Sequence, residues 1–115
     1  MADADDLDIV WKALADPTRR AILDLLRGGP RTTGEIVEAF PSMTRFGVLK
    51  HMEALKGAGL ILVRPEGRKR INRLNAAPIR RIYERWITPY EDFWAKHLLD
   101  VKDHAEGKRR PKKPE

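Results

Sequence analysis

The chain contains no cysteine, so disulfides, thiolate nucleophiles and cysteine metal sites are excluded. It has a single serine, Ser42, at a predicted turn just ahead of a helix, where a cap explains it better than a nucleophile. No apolar run approaches the roughly 18 residues that a membrane span needs. The opening residues carry Asp3, Asp5, Asp6 and Asp8, the opposite of a basic signal-peptide start, and the expectation is a cytoplasmic protein with no membrane partner. A glycine-rich phosphate loop is also missing: Gly28-Gly29-Pro30 reads as a helix stop. Glu91 and Asp92 are sequence neighbours, so on a helix they diverge by about 100° and form no acid–base pair across a cleft. The chain is not expected to be an enzyme, and no cofactor is implied.

What is present in quantity is charge. The chain has 115 residues, enough for one domain; 42% are apolar and 35% charged, the balance of a folded core under a charged surface. The net charge of +6 is unevenly placed. Between Leu60 and Arg81 lie Arg64, Arg68, Lys69, Arg70, Arg73, Arg80 and Arg81, against Glu66 alone. Between Gly107 and Glu115 lie Lys108, Arg109, Arg110, Lys112 and Lys113, against Glu115. The two segments carry +6 and +4, leaving −4 on the rest. Such a surplus favours a polyanionic partner. Residues 106–115 are expected to be a basic disordered tail, and residues 5–105 the folded domain.

Hydrophobic spacing then marks the elements. Leu7, Val10, Trp11 and Leu14 share one helical face, with Asp5 or Asp6 as N-cap. Asp16-Pro17 starts a second helix that buries Ile22, Leu25 and Leu26. Thr32-Thr33-Gly34-Glu35 is a capping box, and the short helix after it buries Ile36, Val37 and Phe40. After a turn at Pro41-Ser42, a fourth helix starts near Met43 or Thr44 with Val48, Met52 and Leu55 inward, and ends at Gly57-Ala58-Gly59. Leu60 to Val63 is a strand, Pro65-Glu66-Gly67 a turn, and Ile71 to Leu74 the returning strand. From Ala76 the helical period returns, and Pro89 must kink or divide this last helix. The order describes a mainly α chain with a two-stranded β wing: a winged helix-turn-helix whose terminal helices form a dimer interface.

A helix about 10–12 Å across fits a major groove about 12 Å wide. With Val48, Met52 and Leu55 inward, the outward face of the fourth helix carries Arg45, Phe46, Leu49, Lys50 and Glu53. The expected contacts to double-stranded DNA are therefore Thr44, Arg45, Phe46, Gly47, Leu49, Lys50 and His51 in the major groove. Thr32 and Thr33 join them from the start of the preceding helix, and Arg64, Arg68, Lys69 and Arg70 reach the backbone or minor groove from the wing. Each group alone also suits a solvated surface, and Phe46 and Leu49 also suit packing against the wing.

The segment from Ala13 to Leu23, reading Ala-Leu-Ala-Asp-Pro-Thr-Arg-Arg-Ala-Ile-Leu and followed by Leu25-Leu26, resembles the opening of the ArsR (ArsR/SmtB-like) transcriptional regulators. Met43 to Met52 with Leu55, then Ala58-Gly59-Leu60-Ile61, is similar to that family's recognition helix running into its wing, and Gly67 to Leu74 to its wing return. The resemblance covers roughly residues 8 to 105. It implies a homodimeric winged helix-turn-helix repressor, often of its own gene, on a partly palindromic operator. Family members that sense metals commonly do so through cysteines on the recognition helix; the matching positions here read Leu49, Lys50 and His51, so the chain resembles a branch without those ligands.

The dimer interface is expected from Leu7, Val10, Trp11, Leu14, Ile79, Tyr83, Trp86, Tyr90, Phe93, Trp94, Leu98 and Val101. So many large rings exceed what a core of this size buries, and a two-fold interface would cover them. A small apolar effector held between the terminal helices is a further option. His97, Asp100 and His104 share a face of the last helix and would suit zinc, though a structural histidine pair is the better reading and no metal is assigned. Two alternatives to the DNA-binding repressor stay open: a winged-helix protein-interaction module without DNA binding, and a metal-responsive repressor using those three residues.

Overall fold

Helix starts are set by side chains that accept the first free amides. Asp16 Oδ2 accepts from the Arg19 amide at 3.0 Å, and Pro17 fills the first helical position, where its missing N–H costs nothing. Thr32 Oγ1 accepts from the Glu35 amide at 3.0 Å while the Thr32 amide donates to Glu35 Oε1 at 2.8 Å, the reciprocal box expected from the sequence. Thr44 Oγ1 accepts from the Gly47 amide at 3.0 Å.

The computed structural model describes residues 4–105. The elements are α1 (Ala4–Leu14), α2 (Pro17–Arg27), β1 (Arg31–Thr32), α3 (Thr33–Glu38), α4 (Arg45–Gly57), β2 (Ile61–Glu66), β3 (Lys69–Leu74), α5 (Ala77–Ile82), a π-helical turn (Tyr83–Ile87) and α6 (Thr88–Ala105). They fall into two compact units divided between Arg81 and Ile82. The expected basic tail, 106–115, lies outside the described residues.

In the first unit Ile22, Leu23 and Leu26 of α2, Ile36 of α3, and Val48, Met52 and Leu55 of α4 are buried together with Leu60 and Ile61. Three expectations shift. Leu25, Val37 and Phe40 are only half-buried, and Leu23 is buried instead. Two adjacent positions and one four further on share an arc of a helix as well as the 3–4 spacing does. α1 begins at Ala4, so neither Asp5 nor Asp6 precedes it as a cap; acidic residues are as favourable inside a first turn as ahead of it.

The sheet is three-stranded and antiparallel, in the order β1-β3-β2. The two-stranded hairpin was expected; β1 was not, because two residues carry no period. Arg31 pairs with Asn72, and Thr32 with Ile71. Pro65 and Glu66 lie in β2 rather than in the turn, paired with Arg70 and Lys69. Proline is tolerated there because β2 is an edge strand, where a missing N–H takes nothing from a ladder. The connection is thus only Gly67-Arg68, with φ of 62° at Gly67 and at no other position of the hairpin, the pattern of a two-residue type II′ turn.

The second unit is helical. Pro89 has no amide to give and would strike the carbonyl four residues back in a regular helix. The chain widens immediately before it: over Tyr83–Ile87 the turns are π-helical, and the Thr88 amide reaches back five residues to the Tyr83 carbonyl. The Tyr83 hydroxyl donates to Glu91 Oε1 at 2.6 Å across this irregular stretch. The expected division of the last helix is therefore made at this π-helical turn.

Candidate nucleic-acid interface

The N-terminus of α4 is built by its cap. Thr44 bonds Gly47, and a Cβ added at Gly47 would stand 3.2 Å from that hydroxyl and 3.4 Å from Met43 Cε. The glycine therefore serves the close fit of the cap, whatever it permits to a ligand. From this turn Arg45, Phe46 and Lys50 project outward and are exposed, Phe46 to 71%. The Lys50 ammonium lies 5.6 Å from the Phe46 ring centroid, so the cation shields the ring without leaving solvent. Leu49 is half-buried and Glu53 exposed.

His51, expected among the major-groove contacts, is half-buried. Its ring faces α2, with Nδ1 at 3.7 Å from Asp16 Oδ2 and 3.3 Å from a guanidinium nitrogen of Arg19. The spacing already contained this: 51 stands three residues after Val48 and four before Leu55, on the flank of the buried stripe.

The wing presents Arg68 on its turn and Lys69 and Arg70 at the start of β3, all exposed. Arg64 is exposed as well, but its guanidinium is bonded to Glu66 Oε2 at 3.1 Å, which offsets its charge. Lys69 lies near enough to α3 to favour the ionised Glu35. The Glu35 carboxyl is held below its ordinary 4.5 chiefly by the Thr32 amide, with help from the Thr32 hydroxyl, Arg31 and Lys69. The Thr32 hydroxyl is occupied by its cap, and the Thr33 hydroxyl accepts from Asn72 Nδ2 at 3.1 Å.

Asn72 is the residue that sequence reasoning missed. It is 1% exposed, and its amide nitrogen is also 3.2 Å from the Arg31 carbonyl, so it ties β3 to β1 and to the start of α3. Asparagine is depleted in strands, and its presence between Ile71 and Arg73 was the available signal.

Helix and wing meet. A cleft of about 420 Å³ is lined on the α4 side by Leu49, Met52, Glu53 and Lys56, on the wing side by Val63, Arg70 and Asn72, and by Thr33 of α3. One cation from each of two segments distant in sequence, Lys56 and Arg70, thus borders one concave surface, which Glu53 also lines. A helix with cations at its exposed N-terminal half, beside a cationic hairpin, is suited to a polyanion with a groove.

In the second unit Trp86, Tyr90, Phe93, Trp94, Leu98 and Val101 are exposed, Trp94 to 54%. Of the other residues expected at a dimer surface, Trp11, Ile79 and Tyr83 are exposed and Leu7 and Leu14 half-buried. Val10 is buried, and so is already occupied within the chain. The His97 ring stacks on Phe93 at 6.1 Å and meets the edge of Trp94 at 5.5 Å. Asp100 and His104 follow along α6, and among the described residues no three His, Cys, Asp or Glu side chains gather closely enough to hold a metal ion. Among them, too, no helix is long and apolar enough to cross a membrane.

Comparison with known proteins agrees with this geometry. A model described as a helix-turn-helix domain matches residues 14–64. The chain is 36% identical over 91 residues to the HTH-type transcriptional regulator Rv2034 of Mycobacterium tuberculosis, covering 79% of this chain and 80% of that protein. It is 48% identical over 52 residues to the transcriptional repressor SdpR of Bacillus subtilis, covering 45% of this chain and 57% of SdpR. The crystal structure of an ArsR family transcriptional regulator superposes with a TM-score of 0.69 at 33% identity, covering 78% of this chain and 97% of that one. The solution structure of a homodimeric winged helix-turn-helix DNA-binding domain from Mycobacterium bovis, a possible ArsR-family regulator by its description, superposes with a TM-score of 0.60 at 28% identity, covering 94% of this chain and 89% of that one. The resemblance read from the Asp16-Pro17-Thr18-Arg19 segment and the wing is thus met by sequence and by architecture, and the chain belongs to the ArsR family of winged helix-turn-helix transcriptional regulators.

Proposed function

We propose that this regulator is a homodimeric repressor that reads a partly palindromic operator, with α4 in the major groove and the wing on the adjacent backbone or minor groove. The observation that carries the reading is the shared cleft, where Lys56 of α4 and Arg70 of the wing border one surface. Arg45 and Lys50 read base edges, and Thr44 and Gly47 bring the helix end close. Arg68, Lys69 and Arg70 bind phosphate or the minor groove, and Arg64 contributes once released from Glu66. Thr32 and Thr33 support the contact from α3, and Phe46 and Leu49 pack against the duplex.

Dimerisation draws support from the exposed rings. Trp86, Tyr90, Phe93 and Trp94, with Leu98 and Val101, form a solvated apolar row on the last helix, and Trp11 is exposed on α1. Burying such rings against a second copy removes a large apolar area from water. The described homodimer of the Mycobacterium bovis relative and the repressor name of SdpR point the same way. A small apolar effector that competes for these helix surfaces would release the operator from a protein acting in the cytoplasm.

Footprinting on the promoter of its own gene, combined with sedimentation, tests the reading. The expected result is protection of two half-sites roughly 34 Å apart by a dimer. A particle that stays single at high concentration, or no protection at moderate salt, would sink it.

A further inference from the structure

A polar cluster joins three helices of the first unit, and the DNA-reading surface does not use it. Arg19 stands in the first turn of α2. Its Nε donates to the Ala13 carbonyl at 2.9 Å, one terminal nitrogen to the Lys12 carbonyl at 3.0 Å, and the other lies 3.3 Å from His51 Nδ1. Every nitrogen of the guanidinium thus has its own partner. Two partners are last-turn carbonyls of α1: that of Ala13, whose i+4 residue is Pro17 and has no amide, and that of Lys12, which also accepts from the Ala15 amide at 3.3 Å. The third belongs to α4, one residue after Lys50 and about 100° round the helix from it.

A guanidinium is a rigid plane with donors in a fixed fork. Held by two carbonyls of α1, it presents its remaining donor to His51 in one direction only. The neighbouring Arg20 repeats the anchoring, donating to the Leu14 carbonyl at 2.7 Å. Asp16 Oδ2, which caps α2, lies 3.7 Å from His51 Nδ1, beyond hydrogen-bond reach, so the shorter Arg19 contact is the one that orients the ring.

We propose that Arg19 is a positioning residue for DNA reading: it couples the end of α1 to the rotation of α4 through His51, and so sets the angle at which Arg45 and Lys50 meet the duplex. The coupling has a use, because α1 also carries the exposed Ile9 and Trp11, so a change at that surface reaches the recognition helix through one planar group. The inference rests on the reading of α4 as the DNA-contacting helix. In it, His51 Nδ1 is the acceptor, because a guanidinium nitrogen can only donate, and the ring's N–H lies on Nε2.

The test uses the full chain and a duplex selected by the wild-type protein from a random pool, with a scrambled duplex of equal composition as control. Arg19→Lys keeps the charge but offers one donor centre where three are needed. His51→Leu removes the acceptor, and His51→Asn keeps one at the same position in the side chain. The expected result is a loss of about tenfold in affinity for the selected duplex with Arg19→Lys and His51→Leu. Scrambled-duplex affinity and salt slope should be unchanged, and His51→Asn should stay close to wild type. Wild-type affinity in both weakened variants would overturn the inference, and so would parallel losses on both duplexes. A wild-type protein that fails to distinguish the duplexes would instead overturn the DNA reading beneath it. A measurement on the unaltered protein stands apart from any variant's folding: long-range nitrogen–proton spectra near pH 8 should show His51 Nδ1 unprotonated, and a proton on Nδ1 would overturn the assignment.

Discussion

Asn72 Nδ2 donates to Thr33 Oγ1 at 3.1 Å, joining residues 39 apart in sequence and fixing the base of the wing to the first residue of α3. With the bond to the Arg31 carbonyl, it makes a buried amide the hinge pin of the wing. Asn72→Ala should destabilise the fold by about 1–3 kcal/mol, since it leaves a half-buried carbonyl and a hydroxyl without this partner. Chemical denaturation measures the loss, and an unchanged midpoint would show that water replaces the amide.

The two threonine caps should behave alike in stability and differently in binding. Thr32→Ala and Thr44→Ala each remove one accepted amide bond, a loss of about 1 kcal/mol. Thr44 stands at the N-terminus of the helix proposed to enter the groove, whereas Thr32 only supports the contact, so Thr44→Ala should weaken operator binding more than Thr32→Ala. Parallel melting and mobility-shift titrations separate the two effects.

Acid should destabilise the protein through two caps. Asp16 is held below its ordinary 3.8, chiefly by the Arg19 amide, and Glu35 below 4.5, chiefly by the Thr32 amide. Both folded values are depressed, so the stability they contribute is complete above the unfolded values and lost as pH falls through the folded ones. The melting temperature should drop as pH is lowered below about 4, and Asp16→Asn should flatten that dependence while lowering the plateau. A melting temperature independent of pH between about 5 and 2 would refute the role of the caps.

The wing and the recognition helix should give different DNA phenotypes. Lys69→Ala should weaken all sequences alike and reduce the salt slope by about one. Arg45→Ala should relax the preference at one base position by about 1–3 kcal/mol. Titrations on a set of single-base operator variants at several salt concentrations read both, and wild-type behaviour in both mutants would displace the interface from this face.

Trp94→Glu should convert the dimer to monomer at micromolar concentration, because the charge would be buried among apolar rings at the proposed interface. Sedimentation velocity reads the mass directly. An undisturbed dimer would move the interface off α6.

The starts of α2, α3 and α4 were legible in the sequence because each rests on a contact spanning three residues: Asp16 to Arg19, Thr32 to Glu35, Thr44 to Gly47. The buried stripe Val48, Met52 and Leu55 was legible for the same reason, as one period on one helix. The wing's return was legible, but its turn was misplaced by two residues, because Pro65-Glu66-Gly67 has turn chemistry whether or not an edge strand extends into it.

Local chemistry along the chain thus determined which segments become helix or hairpin, where α2, α3 and α4 begin, and which segments hold the surplus of cations. The pairing of the two-residue β1 with β3, the burial of Asn72 and the turning of His51 toward Arg19 were decided only in three dimensions. Those contacts join residues tens of positions apart, and a buried polar group finds its partner through the packing of whole elements, which no short-range period records.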